Sequence, residues 1–192
     1  MGRFTVDQLR GFAQEPLRKA VRKDARSILR DGAAQDRRTS HDIFLSHNHL
    51  DKEAVLGLKT HLEAQGYSVY VDSESDPQLD PQQVNNTTVE VVRSRLRSCR
   101  SILYATSENA EESKWMAWEL GLGDGLDKKV AVVPVKGTPG SLVTREFLLV
   151  YPEIQDGTHG HRLWVRHPKG NFEAFRAWLS SGEAWRVGRR AY

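Results

Sequence analysis

Cysteine is almost absent from this chain: Cys99 stands alone in 192 residues. A single thiol excludes an internal disulfide and any all-cysteine metal site, and it fits a reducing compartment. Long apolar runs are missing too. No stretch approaches the ~18 consecutive apolar residues of a membrane-crossing helix. The opening MGRFTVDQLR has no long apolar core behind its basic residues, so no secretory leader is expected. The expected location is therefore cytoplasmic, with no membrane partner. Charge of one sign is also scarce, since a net +3 is too small to argue for nucleic acid. There are no internal repeats and no low-complexity segment.

What is present is ordinary in bulk and uneven in detail. Apolar residues make up 39% and charged residues 28%, as in a soluble globular protein. The length allows one domain with an appendage, or two small domains, and a core that needs no staples. Residues 1–40 hold ten basic side chains against five acidic ones, which leaves +5 there and −2 elsewhere. A solvated helix face explains this most simply; an anionic partner or a neighbouring subunit is the alternative.

Thr5 followed by Gln8 is a capping-box pattern, and Val6, Leu9 and Ala13 give the turns behind it an apolar side. Pro16 suits the first turn of a second helix, in which Leu17, Val21, Ala25 and Ile28 recur until Asp31-Gly32 stops it. Residues 1–38 thus read as a basic helical appendage, with a polar connector ahead of His41. From there the period changes. Asp42–Ser46, Tyr67–Val71, Ser101–Ala105 and Val130–Val135 are short apolar runs of the kind that form strands buried on both faces. Helical segments alternate with them: Asp51 to Gly66, Asn85 or Asn86 to Cys99, and Glu111 to Leu122. That alternation predicts a parallel, doubly wound α/β sheet. Beyond Pro134 the pattern weakens. Phe147–Tyr151 and Arg162–Val165 look strand-like, residues 137–160 otherwise read as surface loop, and Phe172, Phe175, Trp178 and Leu179 mark a last helix.

In such a sheet the ligand crevice lies past the carboxyl ends of the strands. Ser46, His47, Asn48 and Asp51 follow the first strand, and Asp72 follows the second. The third leads into Ser113-Lys114-Trp115-Met116-Ala117-Trp118-Glu119. Residues four apart share a helix face, so Trp115 sits on the side of Glu119. An indole and a carboxylate together suit a cationic aromatic ligand. The simpler reading is a solvated carboxylate beside a core tryptophan. Trp118 lies about 100° from Glu119 and reads as packing. Ser46 either contacts a nucleotide or simply ends its strand; Asp72 either binds a ribose or caps its loop. His47, His49 and Asp51 lack metal-site spacing and a further ligand, so no metal is expected. Arg93, Arg95, Arg97 and Arg100 read as an outer helix face.

Three blocks carry a family resemblance. His41-Asp42-Ile43-Phe44-Leu45-Ser46-His47 with Asp51 resembles the opening strand and loop of TIR (Toll/interleukin-receptor) domains. Gly66–Asp72 is similar to their second strand. Ser113-x-Trp115-x-x-x-Glu119 resembles the signature of the TIR members that cleave NAD. The likeness covers residues 41–135, within a TIR domain expected over 39–192. It implies a flavodoxin-like TIR fold: a parallel five-stranded sheet flanked by helices, carrying the N-terminal helical appendage.

The resemblance also implies an activity, with NAD as substrate and no cofactor. The catalytic glutamate maps onto Glu119, and substrate contacts onto Phe44, Ser46, His47, Asn48, Asp72, Ser113 and Trp115. One carboxylate suffices, because nicotinamide leaves as a neutral ring and needs no general acid, unlike the leaving group in ordinary glycoside hydrolysis. A small TIR protein of this kind resembles the signal-making component of bacterial antiphage systems such as Thoeris, where a cyclic ADP-ribose isomer activates a separate effector. Self-association through TIR surfaces, with the 72–84 loop at the contact, is implied as well. Two other classes remain: a non-catalytic TIR adaptor, and a nucleoside-processing transferase of related fold.

Overall fold

A computed structural model describes residues 2–20, 23–36, 39–47, 52–71, 86–106, 114–137, 146–157 and 162–182. Among the described residues eight strands form one sheet: β1 (Phe4–Thr5), β2 (His41–Ser46), β3 (Val69–Val71), β4 (Cys99–Thr106), β5 (Lys129–Lys136), β6 (Glu153–Asp156), β7 (Leu163–Arg166) and β8 (Phe172–Ala174). Their order is β3-β2-β4-β5-β6-β7-β8, with β1 paired to β5. The strands β3, β2, β4, β5 and β6 run parallel. They are the five parallel strands the family likeness implies. Two antiparallel strands, β7 and β8, extend the sheet beyond β6.

The helices are α1 (Val6–Lys19), α2 (Ala25–Gln35), α3 (Lys52–Ala64), α4 (Asn86–Ser98), α5 (Lys114–Gly125) and α6 (Phe175–Ser180). Strand side chains alternate between faces, and the cores follow that alternation. Ile43, Leu45, Leu103, Ala131 and Val133 join Leu9 of α1, Val55, Leu58 and Leu62 of α3, and Phe175 and Trp178 of α6. On the other face Phe44 and Ile102 meet Val92 and Leu96 of α4, while Tyr104, Val130 and Val132 meet Met116 and Leu120 of α5. Gly66, at φ +88°, ends α3 where a glycine is expected, with Tyr67 N–H donating to Leu62 O at 3.3 Å.

Several segments depart from the sequence reading. The N-terminal stretch itself lies on the main domain. Phe4, Leu9, Ala13, Ala25 and Leu29 share one core with the sheet, and β1 adds directly to β5. Thr5 caps α1 as expected, accepting from Gln8 N–H at 3.1 Å. Pro16, however, lies inside α1 rather than opening a second helix. The bond its missing N–H forgoes is offset by burial of Leu9 and Ala13 against α3. Likewise α2 starts only at Ala25 rather than near Pro16, with Asp24 accepting from Ser27 N–H at 2.7 Å, and it runs past Gly32 to Gln35. Phe147–Val150 forms a short 3-10 helix instead of a strand, burying only Leu148 among its described apolar side chains and leaving Leu149 62% exposed. The polar run Glu153–Asp156, read as loop, is a strand. Of the four arginines read as an outer face, Arg95 lies over the Tyr70 ring and Arg100 pairs with Asp42 at 2.9 Å.

Candidate active site

Ser46 is the last residue of β2 and faces α5, two residues beyond Phe44 on the same side. Parallel pairing sets it beside Tyr104 of β4. Its side chain is wholly buried, and its hydroxyl donates to Glu119 Oε2 at 2.6 Å. This bond ties the carboxyl end of β2 to the middle of α5.

Glu119 stands where α5 should be apolar. Met116, Glu119, Leu120 and Gly123 are the buried residues of that helix, at the spacing of a face turned to the sheet. The glutamate is 1% exposed. Burying a carboxylate is costly unless hydrogen bonds replace its water, and the short bond from Ser46 is one such replacement. The depth of α5 depends on Gly123, where an added Cβ would stand 1.7 Å from Ile102 Cδ1. A side chain there would have to displace the end of the Ile102 side chain on β4, so α5 lies close over the sheet at this point.

Trp115 and Trp118 stack on each other, with centroids 4.8 Å apart and planes 28° apart. Both are half-buried against the cluster that holds Phe44, Tyr70 and Val92. Trp118 therefore packs, as read, but it packs on Trp115 and so fixes the indole one turn before Glu119. The pairing has a sequence signal, since three-residue spacing brings two helix side chains together.

The remaining expected site residues divide. Phe44 is fully buried, its ring 5.4 Å from that of Tyr70, so it lies beneath the site within the core. His47 belongs to the opposite face. Its buried ring, with Nδ1 3.4 Å from Leu45 O, lines an apolar cavity of about 20 Å³ together with Val6, Leu9, Ala54 and Leu58. That is room for about one water. The structure does not bring this ring together with Glu119. Asn48, Asp72 and Ser113 lie outside the described residues, as do His49, Asp51 and the 72–84 loop. At the start of α3, Lys52 has its ammonium pushed down to about 8, by burial first and then by the Arg26 charge. Among the described residues, no group of three or more His, Cys, Asp or Glu gathers as a metal ion would require. None of their helices is long and apolar enough to cross a membrane.

A mixed sheet with a parallel centre, flanked by helices and bearing a serine–glutamate pair at the carboxyl end of its first long strand, defines a TIR domain. Residues 43–178 match that family, and the chain belongs to it. Over 187 residues it is 37% identical to the probable 3′ cyclic ADP-D-ribose synthase ThsB′ of Bacillus cereus (strain MSX-D12). That alignment covers 92% of this chain and 97% of the relative. It is also 27% identical over 89 residues to the putative cyclic ADP-D-ribose synthase TIR2 of Cytobacillus dafuensis. The second alignment covers 46% of this chain and 24% of that protein.

Proposed function

We propose that this chain is an NAD-consuming enzyme that releases nicotinamide and closes the remaining ADP-ribose into a cyclic isomer. The observation that carries the reading is the Glu119 carboxylate, buried on the sheet-facing side of α5 and held by Ser46 at the strand rim. The similarity to the Bacillus synthase along nearly the whole chain supports the cyclic product over ADP-ribose, and its 3′ designation favours a ribose hydroxyl as acceptor.

The chemistry asks little of the protein beyond one well-placed charge. The bond between nicotinamide nitrogen and ribose C1 breaks with its electron pair going to the ring, which departs neutral. Positive charge then develops on the ribose, and a fixed carboxylate in a dry site stabilises it. Glu119 supplies that charge and hydrogen-bond acceptors for ribose hydroxyls. The internal hydroxyl attacks C1 and its proton passes to the Glu119 carboxylate and on to solvent, while water must be kept from competing as the nucleophile. Trp115, steadied by Trp118, offers a ring face to the cationic nicotinamide. Asn48, Asp72 and Ser113 remain proposed contributors to substrate binding, whereas His47 lies on the other face of the sheet.

In its biological setting the product would act as a cytoplasmic antiphage signal of the Thoeris kind, read by a separate effector. Activity would depend on self-association, so the rate per molecule falls on dilution. We also propose 39–192 as the TIR unit, with 1–38 docked on it. Incubating purified protein with NAD and separating products by chromatography tests the function. The expected result is nicotinamide plus a cyclic product, lost in Glu119→Gln. No nicotinamide release, even with lysate from infected cells, would sink the reading.

A further inference from the structure

We infer that Ser46 is a positioning residue: it acts through Glu119, setting the orientation of the carboxylate, rather than touching the substrate itself. The inference rests on the enzymatic reading of Glu119. Its observations are the complete burial of the Ser46 side chain, the 2.6 Å bond from its hydroxyl to Glu119 Oε2, and the rigidity of its place in the sheet.

A serine that is wholly buried and already donating its one proton has no second proton to offer a ribose or phosphate. What it can offer is a fixed point. Ser46 pairs in register with Tyr104 of β4, and its neighbour Leu45 pairs with both Val71 and Leu103. The hydroxyl is therefore carried on a strand held between β3 and β4, at a residue paired directly with β4.

Glutamate has three side-chain torsions, and a helix fixes only the first of them well. Pinning Oε2 to the strand sets the plane of the carboxylate, and the direction of Oε1 follows from it. The carboxylate is thereby oriented before substrate arrives, so the cost of ordering it is met on folding rather than during reaction. The bond also replaces part of the hydration that the carboxylate loses inside the protein. Removing the donor takes away this support of charge and position while altering no surface that the substrate meets.

Steady-state kinetics on Ser46→Ala separate the two roles. A positioning residue predicts a kcat lower by about 10²-fold, the cost of a misplacement near 1 Å, with KM held within about twofold. A direct substrate contact predicts a raised KM at unchanged kcat, and that result overturns the inference. Ser46→Cys nearly keeps the volume but is a poor donor, so it should fall with Ser46→Ala; full activity in Ser46→Cys would show packing to be the cause and also overturn it. Melting temperatures taken alongside establish that both variants are folded. A crystal structure of Ser46→Ala supplies a readout independent of turnover. The Glu119 carboxylate should leave its wild-type orientation, and finding it unmoved overturns the positioning role. Wild-type protein that releases no nicotinamide would defeat the enzymatic reading instead, leaving the crystallographic result to decide what Ser46 does to Glu119.

Discussion

Between the odd and even residues of β2 the molecule changes character. Ile43 and Leu45 face α1 and α3, where one continuous cluster of buried apolar residues runs from Phe4 to Leu179, with His61 among the aromatic rings. Phe44 and Ser46 face α4 and α5, where the core is split into two clusters and a buried glutamate stands on α5. His47, one residue past Ser46, falls back to the first face and lines an apolar cavity. The same strand thus serves packing on one side and chemistry on the other. Neighbours in sequence are separated by the thickness of the sheet, so a motif read as a block need not act as one.

The comparison can be broken most severely by making the second face like the first. Glu119→Leu should lower nicotinamide release by about 10³-fold, the scale of losing one preorganised electrostatic group. Its unfolding free energy in urea should hold or rise, because an apolar residue at a buried site avoids the cost of a buried charge. A clear fall in stability would mean that the carboxylate holds the fold together rather than costing it.

The converse change damages packing and spares chemistry. A Cβ at Gly57 would stand 1.8 Å from the Leu9 carbonyl oxygen, a backbone atom that cannot swing aside. Gly57→Ala should therefore cost about 1–3 kcal/mol of stability by forcing α1 from α3. The activity of the folded fraction should hold, as measured below the melting transition.

A smaller effect is expected at the lower edge of the sheet. Asp42 accepts from Ser68 N–H, Ser68 Oγ–H and Arg100. Burial raises its pKa, but these bonds and the Arg100 charge outweigh it and hold the carboxyl below its ordinary 3.8. A carboxyl depressed on folding contributes stability above its unfolded pKa and loses it as pH falls through the folded value. Asp42→Asn should cost under about 1 kcal/mol at pH 7, given its exposure, and nothing in strong acid. Denaturation at the two pH values checks the sign. Least of all is expected from His47→Leu: activity within about threefold of wild type, because its ring lies on the packing face. A loss as large as that of Ser46→Ala would show that the two faces are coupled through the rim.

Much of the fold was legible because β2, β4 and β5 are buried on both sides and so read as near-continuous apolar runs. Glu153–Asp156 was not, since only Ile154 of that strand is buried and its other side chains are polar. Phe147–Val150 misled in the opposite sense: it is apolar, yet half-turned to solvent, and hydropathy alone does not separate a strand from one turn of helix. Pro16 and Gly32 were read by local propensity, which packing against α3 and the rest of the core overrode. At the site, Trp115 and Glu119 were visible as helix neighbours, and Ser46 as the end of a strand. Their joining was not visible, because the bond between Ser46 and Glu119 spans 73 positions and depends on how closely Gly123 lets α5 approach.

The two residues of β1 also constrain the order in which the chain can assemble. Phe4 pairs with Val135, so an early segment cannot dock until most of the chain has been made and β5 exists to receive it. During synthesis at about 5–20 residues per second, Phe4 spends several seconds without the strand it pairs with. The pairing closes the longest loop among the parallel strand contacts, and its entropic cost falls late in folding. Two residues made early thus take their place late, while α1 behind them can already rest on α3.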